Sequence, residues 1–408
     1  MIKLLHFADA HIDMASQGRR DAQSGLPIRV LDFLAALDTI VDTAISEQVD
    51  VVLFAGDAYK DRTPSPTFQR EWERRIMRLS QAGIRTILVI GNHDLSPAFG
   101  RAHALQEFDT LKIPHVSVIS RACLLKPQDL DGLALQVIGL PWITRSALMA
   151  AQELSAASHV AINEAIETYV QALIPSLLDQ TDPDLPLVLT AHASVEGATY
   201  GAERSVMLGG DLVLPISLMQ DKRLDYVALG HIHKAQNLSP DGHHPIIYSG
   251  SIERVDWGEA RDDKSFVIVH LEKGQKTRIE WRQLQGRRFI DCRAEITSDQ
   301  QVLQSIMAAL PNQQEMADSI VRLVIEYPRH LESMIDEQAI RQYTQDAFEF
   351  HFIRRPKVEN RFRLPEDQAI SQMEPAQLLN LYLQATKTSP EDATALSKLA
   401  QEIFNETS

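Results

Sequence analysis

DYVALGHIHK (Asp225–Lys234) runs a short apolar stretch into two histidines spaced one residue apart. In extended backbone, side chains at i and i+2 project to the same side, so His231 and His233 face one point in space, as metal ligands do. Alone, the pair reads equally well as a surface turn that carries two histidines. Its weight comes from the other strand ends. HFADAH (His6–His11) closes the first apolar run with Asp9 and His11, again at i, i+2. LFAGDAY (Leu53–Tyr59) closes the second with Asp57 after Gly56, LVIGNHD (Leu88–Asp94) the third with Asn92, His93 and Asp94, and LVLTAHAS (Leu187–Ser194) carries His192. In α/β sheets ligands bind beyond the carboxyl ends of the strands, so these five ends can converge.

Two Asp, one Asn and four His then become available, with His93 and Asp94 left over. One tetrahedral ion uses about four ligands, which leaves too many. Two divalent ions about 3.5–4 Å apart suit the number if one carboxylate bridges both. Asp57 is the natural bridge, because it stands alone on its loop with two oxygens. Oxygen and imidazole donors without thiolate suit Mn²⁺, Fe or Zn²⁺. Singly each residue has an ordinary structural reading: Asp57 as a helix cap, Asn92 as a turn residue, His192 as a satisfied core histidine. Their joint placement at strand ends is what points to metal. His243 and His244, in SPDGHHP, read as solvated turn residues, and His6 and His270 as packing residues.

Around these ends short apolar runs alternate with helical patterns. Val30, Leu31, Leu34, Leu37, Val41 and Ala44 fall at helical spacing between Pro27 and Gln48, and strands alternating with helices predict an α/β domain over residues 1–260. The rhythm then changes to a hairpin-like pair around Lys273-Gly274 and further strands and helices, a small α+β domain over 261–362. Residues 363–408 read as a tail of two short amphipathic helices, with Ser389-Pro390 opening the second. Leu378, Leu379, Leu381 and Tyr382 give that tail an apolar face, for packing back on the body or for docking into another chain's groove.

The chain of 408 residues is 44% hydrophobic and carries a net charge of −15. Two cysteines, Cys123 and Cys292, fit a reducing compartment. The first apolar run is too short for a signal peptide, and no stretch has the length a membrane span needs; cytoplasm and no membrane association are expected. The acidity argues against nucleic acid, whose binding rests on Lys and Arg. From Pro365 onward seven acidic and two basic residues supply −5, so residues 1–364 keep −10. Local patches would have to provide a positive field: QGRRD (Gln17–Asp21), REWERRIMR (Arg70–Arg78) and IRRPK (Ile353–Lys357), each also readable as a solvated face.

The series D-x-H, G-D, G-N-H-D, H and G-H-x-H resembles that of the metallophosphoesterase (calcineurin-like) superfamily. YSGSIERVDWGEARDDKSF (Tyr248–Phe266) is similar to the stretch that follows the last metal motif in SbcD-type nuclease subunits. The resemblance implies a β-sandwich flanked by helices, then a capping domain and a helical tail for a partner. It implies one metal site of Asp9, His11, Asp57 and His233 and another of Asp57, Asn92, His192 and His231. His93 would act on the substrate phosphate, with Asp94 holding its ring. Mn²⁺ is the first expectation for the two ions, ahead of Fe, Zn²⁺ or Mg²⁺. Two positions depart from the pattern: Asp13 stands where glycine is frequent, and Lys60 where the related repair nucleases carry histidine. A lysine can contact DNA phosphate but cannot exchange protons near neutral pH as histidine does.

Three readings follow. The first is a DNA phosphodiesterase of SbcD type, an exonuclease or endonuclease in repair or recombination. By resemblance it would be a homodimer partnered by an SMC-like ATPase of SbcC type. The second is a phosphodiesterase or phosphatase acting on nucleotides or small esters. The third is a non-catalytic scaffold, against which an intact ligand set counts.

Overall fold

The computed structural model describes residues 1–14, 19–96, 101–143, 159–201, 213–357, 375–385 and 389–406. The chain divides into two compact units, Met1–Asp291 with Asp318–Ile320, and Cys292–Ala317 with Val321–Ser408.

In chain order the first unit contains β1 (Ile2–Phe7), α1 (Ile28–Ser46), β2 (Val51–Phe54), α2 (Pro66–Gln81), β3 (Arg85–Val89), α3 (Gln106–Leu111), β4 (Val116–Ile119), β5 (Cys123–Leu125) and β6 (Gln136–Leu140). A helix over His159–Leu178 leads to β7 (Leu187–His192), β8 (Ser194–Val195), β9 (Val213–Leu214), β10 (Tyr226–Gly230), β11 (Gln236–Asn237), β12 (Ile246–Tyr248), β13 (Lys264–Leu271) and β14 (Arg278–Leu284). These strands form two six-stranded sheets in the orders β14-β13-β1-β2-β3-β4 and β11-β12-β10-β7-β6-β5, and β8 pairs with β9. The result is the expected α/β sandwich flanked by helices.

Alternation along the strands decides what each face buries. Ile2 and Leu4 of β1 join Val51, Leu53, Ile87 and Val89 against Val137, Val188, Ala228 and Ile247 of the second sheet. Leu5 and Phe7 point the other way, under α1 and α2, with Val30, Phe33, Leu37, Ile40 and Trp72. Of the α1 residues predicted from periodicity only Leu31 is not fully buried, and Phe33 and Ile40 complete the stripe. On the outer face of the second sheet, Ile166, Val170, Ile174 and Leu178 recur every fourth residue, the stripe of a helix laid on a sheet. His6 is a packing residue as expected, its Nδ1 2.9 Å from the Tyr226 hydroxyl across the two sheets.

β1, β2 and β3 run parallel, in the registers Phe7↔Phe54 and Phe54↔Leu88. β7 and β10 do likewise, with Gly230 opposite His192. Parallel pairing brings the carboxyl ends of each set to one edge, which turns the sequence motifs into a site.

The boundary expected at residue 260 is displaced. β13 pairs antiparallel with β1 over Ile2↔Leu271 to His6↔Val267, and β14 pairs with β13. The hairpin around Lys273-Gly274 therefore completes the first sheet, and the first unit runs to Asp291. Local sequence reads a hairpin correctly but not which sheet edge it joins.

The second unit holds a three-stranded sheet in the order β15 (Phe289–Glu295), β16 (Ile320–Pro328), β17 (Glu349–Lys357), whose first strand begins in the first unit. Short helices over Val302–Ala308, Gln313–Met316 and Glu337–Tyr343 accompany it, then tail helices Pro375–Ala385 and Pro390–Glu406. Ser389 caps the last helix, its Oγ accepting from the Asp392 amide at 3.2 Å. Tyr382, Leu396 and Leu399 are exposed. No described helix is long and apolar enough to cross a membrane.

Candidate metal centre

Five strand ends deliver their polar side chains to one buried cluster. Asp9, His11 and His233 offer ligand atoms within 4.8 Å of one another, and so do Asp9, Asp57 and His192. His11 Nε2 and His233 Nε2 stand 3.1 Å apart. Asp57 Oδ2 lies between the groups, 3.9 Å from His11 Nε2 and 3.4 Å from His192 Nε2. Asn92 Oδ1 is 3.0 Å from His192 Nε2 and 3.1 Å from His231 Nδ1. All seven residues named from sequence are thus brought together.

The chain reaches this arrangement through unusual backbone. Asp9, His11, Asp57 and His231 all have positive φ, at 50°, 40°, 66° and 95°. Such conformations cost about 1–3 kcal/mol each and persist only where the surroundings over-determine them. The glycines of the motifs are explained by space. A Cβ at Gly91 would stand 2.1 Å from Asp57 Oδ1, and one at Gly56, itself at φ +101°, 2.3 Å from His192 Nδ1. Glycine precedes the ligand because the neighbouring ligand fills the place of a side chain.

The imidazoles are oriented from behind. His11 Nδ1 donates to the Tyr59 carbonyl at 3.1 Å, His192 Nδ1 to the Ala55 carbonyl at 2.7 Å, and His233 Nδ1 to Glu259 Oε1 at 2.7 Å. In the neutral ring each would leave an Nε2 lone pair facing the carboxylates, as histidines that bind metal usually do. Burial raises Asp9 to about 6. Burial also opposes charge on His192, but the Asp57 carboxylate outweighs it and lifts His192 to about 9, while burial holds His11 well below its ordinary range. Metal-free, the cluster therefore keeps a proton on His192 beside Asp57. This donor set of carboxylates, one amide oxygen and imidazoles fits divalent cations of the Mn²⁺, Fe and Zn²⁺ kind.

One expected role is corrected. Asp94 does not hold the ring of His93. Its wholly buried carboxylate accepts from the amides of Asp57, Ala58 and Gly91, each at 2.9 Å, and so ties the second and third strand ends together. The His93 ring is held instead by the carbonyl of Lys60, 2.7 Å from its Nδ1. The two departures from the family pattern meet here. Asp13 Oδ1 and Oδ2 accept from the amides of Lys60 and Asp61 at 2.5 and 2.9 Å. Asp13 thus shapes the loop whose carbonyl orients His93. Burial lowers His93 below its ordinary range despite the nearby Asp57.

Other expectations change as well. Arg70, Arg74 and Arg75 meet Glu71, Arg75 and Arg78 meet Asp38, and Arg78 also meets Asp42. Arg354 and Arg355 pair with Glu337 and Glu326, and Lys357 with Glu295. These two stretches are ion-paired faces rather than free positive fields. Of the third, Gln17 and Gly18 lie outside the described residues, and Arg20 donates to the Gly25 carbonyl. His244 is buried, with Nε2 on the Met219 carbonyl at 2.7 Å, and is no solvated turn residue. Trp142, which no sequence signal marked, places its ring 4.8 Å from that of His231.

The family model of calcineurin-like phosphoesterases matches residues 2–235. The SbcD subunit of the nuclease SbcCD from Rhodobacter capsulatus is 29% identical over 298 residues, covering 68% of each chain. Its counterpart from Escherichia coli K12 is 24% identical over 285 residues, 68% of this chain and 67% of the relative. A dimetal phosphatase from Danio rerio superposes with a TM-score of 0.41 at 11% identity, over 69% of this chain and 96% of that one. The family match spans all five motif-bearing strand ends: this chain belongs to the calcineurin-like metallophosphoesterases, whose members hydrolyse phosphoesters at a dinuclear metal site.

Proposed function

We propose that the protein is a Mn²⁺-dependent phosphodiesterase acting on DNA, in the manner of an SbcD-type nuclease subunit. The observation that carries this reading is the open side of the centre. Asp9, His11 and Asp57 are sealed, whereas Asn92 and His93 are half-buried and Lys60 is exposed. A phosphate within a long chain can lie across such a rim. The relatives at 29% and 24% identity are named as nuclease subunits, which supports the same substrate class.

In this reading Asp9, His11, Asp57 and His233 hold one ion, and Asp57, Asn92, His192 and His231 the other. Bound cations supply an activated water and neutralise charge on the phosphoryl oxygens. His93 presents Nε2 to the substrate, because its Nδ1 is committed to the Lys60 carbonyl. It starts neutral, and the negative phosphate favours its protonation, so it can then give a proton to the leaving oxygen. Lys60 supplies a fixed positive charge to the phosphate backbone. The exposed Tyr382, Leu396 and Leu399 of the tail helices suit docking to an ATPase subunit of SbcC type, and the assembly is proposed to be a homodimer.

A second reading, hydrolysis of nucleotides or small esters, is favoured by the paired state of the arginine-rich stretches and the net charge of −15. Mn²⁺-dependent digestion of end-labelled linear duplex and single-stranded DNA, beside a chromogenic phosphodiester, separates the two. Cleavage of both kinds of substrate is expected. Cleavage of the chromogenic ester alone would replace the DNA reading with the second.

A further inference from the structure

Behind His233 lies a polar knot that the reaction outlined above does not use. Glu259, Lys264 and Ser251 are 1%, 2% and 0% exposed, and all come from the segment Tyr248–Phe266. Glu259 Oε1 accepts from His233 Nδ1 at 2.7 Å. Its Oε2 accepts from Lys264 Nζ at 2.6 Å, Ser251 Oγ at 3.0 Å and the Val255 amide at 3.1 Å. Lys264 Nζ also donates to Ser251 Oγ at 2.8 Å and to the His233 carbonyl at 3.4 Å. The His233 carbonyl accepts from the Ser251 amide at 3.1 Å as well. Ring and backbone of one ligand are therefore clamped by a single segment.

A buried ion pair is a poor means of gaining stability, since apolar groups of similar size serve as well or better. Two charges kept fully buried, every bond satisfied, need another reason. The geometry offers one. A carboxylate on Nδ1–H fixes the tautomer in which the Nε2 lone pair faces the cluster, and makes that lone pair more basic. Lys264 Nζ and Ser251 Oγ, both on the other oxygen, fix the carboxylate in the orientation that meets Nδ1.

We propose that Glu259, bonded to His233 Nδ1 through one oxygen and to Lys264 and Ser251 through the other, is the positioning residue that makes His233 a competent metal ligand, so that Tyr248–Phe266 belongs to the metal centre rather than to the scaffold alone. This rests on the reading of the cluster as a two-metal site. The test is calorimetric titration of the metal-free full chain with Mn²⁺, with elemental counting of bound metal. Glu259→Gln is expected to weaken Mn²⁺ at one of the two sites by about 10–100-fold and to leave the other near its wild-type affinity.

Because Glu259→Gln strands a buried ammonium and can fail to fold, the paired change Glu259→Leu with Lys264→Met removes both charges together. It should fold and show the same one-site loss. Asp32→Asn is the structural control: it breaks ion pairs with Arg29 and Arg287 away from the centre. It should lower thermal stability and leave both affinities unchanged. A paired variant that binds two ions as tightly as wild type would overturn the positioning role alone. A wild-type chain that takes up no Mn²⁺ would remove the two-metal reading together with it.

Discussion

On the inner side of the centre His233 is gripped by Glu259, Lys264 and Ser251, none more than 2% exposed. On the outer side His93 leans on one backbone carbonyl, and Lys60 reaches solvent. The inner wall resembles a protein core: Glu259, Lys264 and Ser251 are matched donor to acceptor, and His233 has only Nε2 to offer a ligand. The rim is built from a loop pinned by Asp13, with side-chain atoms still free to meet a substrate. The contrast suggests a division of labour: the wall decides whether metal is held, and the rim decides what happens to the phosphate once it is.

The sharpest way to break that division is at Asp57, which lies between the two groups of ligands. Asp57→Ala should empty both metal positions and depress hydrolysis by about 10³-fold or more, since bound ions contribute several kcal/mol to such reactions. Elemental analysis should find the purified variant metal-free. His93→Ala probes the other side. Both ions should remain, while turnover falls by about 10²–10⁴-fold, the usual share of a general acid or base. If His93→Ala loses metal along with activity, His93 is a ligand and the wall and the rim are one device.

How far the site could be read beforehand follows from what each residue needs. Asp9, His11, Asp57, Asn92, His192, His231 and His233 announce themselves because each sits where an apolar strand stops, beside small residues that leave ligands room. Apolar runs alternating with helical patterns were enough to predict an α/β domain, and the family resemblance implied the sandwich. Glu259 and Lys264 could not be recognised as parts of a metal centre in the same way. They are five residues apart, follow the last strand-end motif by more than 25 residues, and meet His233 only through the fold. Asp94 departs from expectation in another way. The family resemblance implied that it holds the His93 ring, whereas its carboxylate turns under the loops to three amides. The hairpin around Lys273 was legible as a hairpin, but its partner β1 lies more than 250 residues earlier.

The proton on His192 gives a graded test of the wall. Burial disfavours its charge, yet Asp57 raises it to about 9, so an incoming cation must displace that proton at neutral pH. The sign is therefore fixed: apparent Mn²⁺ affinity should rise with pH, by about tenfold per unit up to about pH 9, and level off above it. Below about pH 6 the fall steepens as Asp9 also takes up a proton. Calorimetry in two buffers of different ionisation enthalpy should detect net proton release on Mn²⁺ binding at pH 7.5.

The rim is tested by smaller effects. Asp13→Ala frees the amides of Lys60 and Asp61 and loosens the carbonyl that orients His93. Turnover should fall by about tenfold with metal retained, a modest loss of orientation. The loss should vanish in a His93→Ala background, because the two changes act through one ring. Lys60→Ala keeps that carbonyl and removes only the ammonium. It should raise KM for long DNA by about two- to fivefold, in proportion to one lost phosphate contact, and flatten the salt dependence of binding by about one counterion. The chromogenic diester has no second phosphate for Lys60 to reach, so its kinetics should be unchanged. Equal loss on both substrates would mean that Lys60 acts at the scissile phosphate itself, and the rim would then belong to the reacting centre rather than to substrate choice.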